Sequence, residues 1–185
     1  MTGPVASPDA AFWALIRTPD LPGLGPAPRR SRRSASELEK AVAEFCQAQA
    51  VVGATRESLR SAALLWHDHL ESSHAISQSL ATAEGSWLHG IMHRREPDYG
   101  NAAYWFRRVG THPGFAGLAG IVAGHLAEVD AKPLAASLAP GGRWDPFAFI
   151  DACARAERNA DRALHAILQS VQEFEFECLI RSLLA

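Results

Sequence analysis

The sequence is poor in lysine, in cysteine and in long apolar runs, and it has almost no strand pattern. Its only lysines are Lys40 and Lys132, and its other basic side chains are arginines. The 18 basic side chains face 20 acidic ones, a formal net charge of −2. This near balance argues against a dedicated nucleic-acid binder, which carries a strong basic excess. It argues equally against an acidic disordered chain. No apolar stretch reaches the roughly 18 residues of a membrane span, so no membrane partner is expected. Cys46, Cys153 and Cys178 are far apart and have no CxxC spacing. That pattern predicts reduced, core-packed thiols in a cytoplasmic protein. The apolar patch from Ala10 to Ile16 follows Asp9 and has no basic region before it, so a signal peptide is not expected. Nucleophile, phosphate-loop and dinucleotide motifs are absent, which disfavours acyl transfer, kinase and NAD chemistry.

What is present is helical patterning over a chain of 185 residues, long enough for one ordinary domain. Phe12, Trp13 and Ile16 anchor a short helix over 8–17. Thr18 to Arg33 contains four prolines, two glycines and the cluster Arg29, Arg30, Arg32 and Arg33. It reads as a mobile or surface-draped linker whose arginines are solvated. Residues 1–33 are therefore set apart from a helical domain over 34–185. In that domain Ser34 and Glu37 form a capping box before Leu38, Val42 and Phe45. The pattern predicts a long helix from Thr55 to about Leu80, then one from Thr82 to Glu96, stopped by Pro97. Asp98 caps a helix that Gly110 closes. Pro113 starts another, whose Gly114, Gly117, Gly120 and Gly124 would let a second helix approach closely. Lys132 to Arg143 reads as a loop, Asp145 and Pro146 open the next helix, and the last runs from about Asn159 to Leu183. The expected fold is all-α, a single-domain helical bundle of about six or seven helices.

Two polar stripes follow from the spacing. His67, Glu71, His74 and Gln78 share one face of the expected long helix, and His89, His93 and Glu96 share one face of the next. Histidines four residues apart can both ligate one metal, and Glu71 with His74 repeats the ExxH spacing of di-metal bundles. His74, His89, His93 and Glu71 are thus candidate ligands of a divalent zinc, iron or manganese ion. His74, His89, His93 and Glu96 are candidate acid–base groups. Glu173 and Glu177 are further candidate carboxylates. The plainer alternative is that both stripes are solvent faces of amphipathic helices.

From His89 to Pro113 the chain reads HGIMHRREPDYGNAAYWFRRVGTHP, with three histidines, four arginines, two tyrosines and a tryptophan. Arginine suits bidentate recognition of carboxylate or phosphate, and aromatic rings supply stacking faces. Arg94, Arg95, Asp98, Asn101, Tyr104, Trp105, Arg107 and Arg108 are the candidate lining of a pocket for a small polar or anionic molecule. The alternative is an internal salt-bridge network.

Three segments resemble a family of uncharacterised proteins from bacteria and fungi: His67–Gln78, Gly85–Pro113 and Trp144–Asp151. The first reads HDxLDESHxIxQ in that family, where this chain has Leu70, Glu71, Ser72 and Ser73. The resemblance implies that the segments form one functional unit and implies no substrate.

Three classes of function remain open from the sequence: a small enzyme, a binding or sensing module with the same pocket, and an interaction protein with a buried polar network. In the last, the glycine-rich helix and the C-terminal helix would form a homodimer seam.

Overall fold

Short polar side chains start most of the helices. A computed structural model describes residues 6–185; residues 1–5, the beginning of the expected N-terminal segment, lie outside it. Among the described residues there are ten α-helices, one short 3-10 turn (Pro140–Gly142) and no strand. The helices are α1 (Pro8–Ile16), α2 (Ala35–Ala48), α3 (Gly53–Trp66), α4 (Leu70–Ser77), α5 (Ala83–Arg95), α6 (Tyr99–Val109), α7 (Gly114–Glu128), α8 (Lys132–Leu138), α9 (Pro146–Arg158) and α10 (Arg162–Leu183). The Ser34–Glu37 capping box forms as expected. The Thr82 hydroxyl accepts from Gly85 N, the Asp98 carboxylate from Asn101 N, and the Asp161 carboxylate from Leu164 N. Each such cap is worth about 1 kcal/mol.

The ten include α1, which was expected outside the helical domain, and two further helices that have physical reasons. The expected helix over 55–80 breaks after Trp66, because Asp68 takes a left-handed conformation, φ 63°, and turns the chain into α4. Asp and Asn tolerate that region better than other non-glycine residues. The expected loop over 132–143 contains α8, opened by a first-turn proline.

Helix α5 is the centre of the fold. It packs against α3, α4, α6 and α10, and every residue from Gly85 to Arg95 is buried. A helix enclosed on all sides has no solvent face, so the stripe of His89 and His93 is an interior one. Close approach of α6 depends on Gly90: a Cβ there would meet the Phe106 ring at 2.8 Å. Within the chain Gly117, Gly120 and Gly124 of α7 admit no second helix, since nothing lies within 4 Å of a Cβ there, whereas a Cβ at Gly114 would meet the His112 ring at 3.1 Å. α10 packs on α7, α1, α9 and α3, so its buried face, including Val171, Phe176 and Leu179, is covered within the chain.

The segment over 18–33 is tied to the α3–α4 corner. The Arg29 guanidinium donates to the Asp68 carboxylate at 2.9 Å and to Trp66 O, and Arg29 N donates to the same carboxylate oxygen. Arg33 N donates to His67 Nδ1 at 3.0 Å. Two of the four arginines expected to be solvated are therefore holding the corner. The Trp66 ring is fully buried, edge-on to Trp13 and Phe176, with its indole N–H on the Thr18 hydroxyl.

Candidate metal centre

Each turn of α4 and α5 advances the chain so that residues three or four apart overlie one another. On α5 this superimposes His89 and His93, whose rings stack at 4.8 Å and 17°. α4 packs against the same part of α5 and adds His74, edge-on to His89 at 4.7 Å and to His93 at 5.2 Å. One nitrogen from each of the three rings lies within 4.8 Å of the other two. Tetrahedral zinc with bonds near 2.0 Å holds its nitrogens about 3.3 Å apart, so ligation of one ion by all three would require the stacked His89 and His93 rings to turn toward a common point.

The hydrogen bonding of the triad is incomplete. His89 is 2% exposed, and neither ring nitrogen has a hydrogen-bond partner. His93 Nδ1 also lacks one; Glu96 Oε2 stands 3.4 Å away, in ion-pair range but without hydrogen-bond alignment. Burial pushes the His89 pKa down to about 3, and the neighbouring His93 and His74 add to that shift. Burial also lowers His93, against the opposing pull of Glu96. A neutral imidazole with a free lone pair is the form that ligates metal. On its far side His89 stacks on Trp105 of α6 at 3.8 Å and 15°, and Arg108 lies 5.1 Å from the Trp105 ring.

The structure scatters the other expected site residues. His67 is not on a face with His74. It ends α3, is fully buried, donates from Nε2 to Ile16 O at 2.9 Å and accepts from Arg33 at Nδ1. Glu71 is exposed on the first turn of α4 and is not among the converging ligand atoms. Glu173 pairs with Arg17 at 3.1 Å, and Glu177 does not join the triad either.

Arg94 and Arg95, expected to bind substrate, are 1% and 0% exposed. Arg94 makes a two-pronged contact with the Glu175 carboxylate at 3.2 and 2.6 Å and a third bond to Gln172. Arg95 reaches the Asp68 carboxylate at 2.6 Å and Leu65 O. Burial alone would raise the Asp68 pKa, but the bonds from Arg29 and Arg95 outweigh it and hold the carboxyl below its usual range. Both arginines thus serve the expected alternative, an internal salt-bridge network, and neither is open to a ligand.

Asp98 and Asn101 are bonded to each other at the start of α6. Tyr104 is half exposed beside Arg108. Arg107 stacks on Phe147 of α9, in a cleft that contains none of the three histidines. The thiols offer no nucleophile: all three cysteines are buried and free, and burial pushes Cys153 up to about 12.

Sequence reasoning found the triad through its spacing but not its neighbourhood. Glu175 and Asp68 lie 81 and 27 residues from their arginine partners, and no local pattern links such positions.

No family model, curated protein or solved structure matches the chain. No helix among the described residues is long and apolar enough to cross a membrane.

Proposed function

We propose that His74, His89 and His93 bind one divalent metal ion and that the protein is a metal-dependent enzyme acting on a small polar or anionic molecule. The observation that carries this reading is His89, a buried ring with two unpartnered nitrogens beside two other histidines. A buried polar group without a partner costs about 1–3 kcal/mol, and a ligated ion would remove that cost for the one His89 nitrogen whose lone pair it takes. Three protein ligands leave a tetrahedral ion one open position, the arrangement of catalytic rather than structural zinc. Imidazole donors favour zinc or iron over manganese, which prefers oxygen ligands. At the open position such an ion would supply a bound water of lowered pKa and a Lewis acid for a substrate oxygen. Glu96 beside His93 is the carboxylate placed to orient a ligating imidazole.

The competing reading makes the three rings a structural aromatic stack, and the parallel Trp105–His89 pair favours it. It leaves both His89 nitrogens unsatisfied.

The test is metal analysis of protein expressed with zinc, iron and manganese supplied, and again after reconstitution of the apoprotein with cobalt(II). The proposal expects about one ion per chain, visible cobalt absorption bands of tetrahedral intensity, and loss of both in His89→Phe with helical circular dichroism retained. Less than about a tenth of an ion per chain under every condition overturns it, as does full loading of His89→Phe.

A further inference from the structure

A second cavity lies apart from the histidine triad. The end of α6, the start of α7 and the turn leading into α9 enclose a cleft of about 670 Å³. That volume is in the range of small-molecule sites. Its walls include Phe106, Arg107, Phe115, Arg143, Trp144 and Phe147. Phe147 is a large apolar side chain left 38% exposed, and the Arg107 guanidinium lies 5.7 Å from its ring.

The polar groups of the cleft are unequally engaged. Among the described residues neither Arg107 nor Arg143 forms an ion pair with a carboxylate. The buried indole N–H of Trp144 has no acceptor. The one carboxylate in the wall, Asp145, uses Oδ1 to accept from Phe147 N and Ala148 N and so caps α9. His112 is also engaged: its Nδ1 accepts from Gly114 N at 3.1 Å, so the proton sits on Nε2, which faces Glu84 Oε1 at 3.2 Å. The start of α9 is therefore already capped through Asp145 Oδ1, and the groups left over are mainly donors, two guanidinia and an indole N–H among aromatic rings, beside the second Asp145 oxygen and the Thr111 hydroxyl.

We propose that this cleft binds a small organic carboxylate with a flat apolar body, the carboxylate against Arg107 and Arg143 and the body among Phe115, Trp144 and Phe147. Guanidinium matches carboxylate in shape and charge, and the rings supply desolvated stacking area. The two cations without carboxylate partners select for the anion, and the aromatic walls select for the flat body.

The test titrates 1-naphthoate into the ¹⁵N-labelled full chain with EDTA present and follows amide and indole N–H resonances. The expected result is saturable movement confined to residues 106–116 and 140–147, with the Trp144 indole signal among the shifted peaks. The double variant Arg107→Gln, Arg143→Gln changes exposed side chains only and should weaken binding about tenfold or more. The neutral 1-naphthalenemethanol should bind the unaltered protein no better than naphthoate binds the double variant. The proposal is overturned by the absence of saturation, by shifts centred on α4 and α5, by equal affinity for the alcohol, or by an unchanged double variant. EDTA keeps the outcome independent of metal at the triad, so either site can fail without the other.

Discussion

His67 and His89 are both buried histidines, 0% and 2% exposed, and their surroundings are opposite. At the α3–α4 corner His67 has a partner for each ring nitrogen, and beside it Asp68 is held by Arg29 and Arg95. In the triad, one helix away, His89 has no partner for either nitrogen. Burial depresses both rings, His67 to about 4 and His89 to about 3. The difference teaches that burial of a histidine is not by itself a mark of function. What separates the two regions is satisfaction: the corner is complete within the chain, whereas the triad leaves both His89 nitrogens and His93 Nδ1 without partners.

The strongest way to break the comparison is to damage the complete side. Asp68→Asn leaves Arg95 buried without its counter-charge and should cost about 3–5 kcal/mol in urea unfolding; a loss below about 1 kcal/mol would show the corner to be dispensable. Acid acts on both regions together. At pH 8 both rings are neutral, folded or unfolded. Below the ordinary value of 6.5 the unfolded chain binds protons that folded His89 and His67 refuse until about 3 and 4, so stability falls as pH drops through that window. At pH 5 the loss should be about 2 kcal/mol for each ring, measured against pH 8. Urea curves that coincide at the two pH values would contradict the burial argument.

Metal should act on one side only. Zinc at about a hundred times its dissociation constant should stabilise the protein by about 2.7 kcal/mol, and His89→Phe should abolish the gain. If His89→Phe still responds to zinc, the ion binds elsewhere. The same substitution sharpens the contrast in metal-free protein. His67→Phe orphans Arg33 N and Ile16 O and should cost about 1–2 kcal/mol, whereas His89→Phe orphans nothing and should be neutral or stabilising. A reversed order of melting temperatures would refute the distinction. The smallest effect is expected at exposed Glu71: Glu71→Ala should change stability by less than about 0.5 kcal/mol and leave metal content unaltered.

Much of the fold was legible because its signals are local. Ser34, Thr82, Asp98 and Gly110 mark helix ends that form where expected, and Asp145 with Pro146 opens α9. The spacing of His89 and His93 was enough to put both rings on one side of α5. The break at Asp68 was not legible, because apolar periodicity continues across it and its left-handed backbone is held by arginines from distant segments. For the same reason His67 was grouped with Glu71 and His74 on a helix longer than the one that forms. Arg94 and Arg95 look like recognition residues in sequence; their buried carboxylate partners come from α10 and from the corner, and only the fold brings them together.

The tie between residues 29–33 and the corner also bears on portability. A fragment from α4 to α6 would contain all three histidines. It would lack the whole corner, His67 and Asp68 with the Arg33 and Arg29 that hold them across 34 and 39 residues of chain, and so the counter-charge of Arg95. It would also lack α10, which supplies the counter-charge of Arg94 from Glu175. The centre is therefore not a cassette that can be cut out or grafted as a short peptide. Its three histidines are local in sequence, but the frame that aims them is spread along the chain from Arg29 to Glu175.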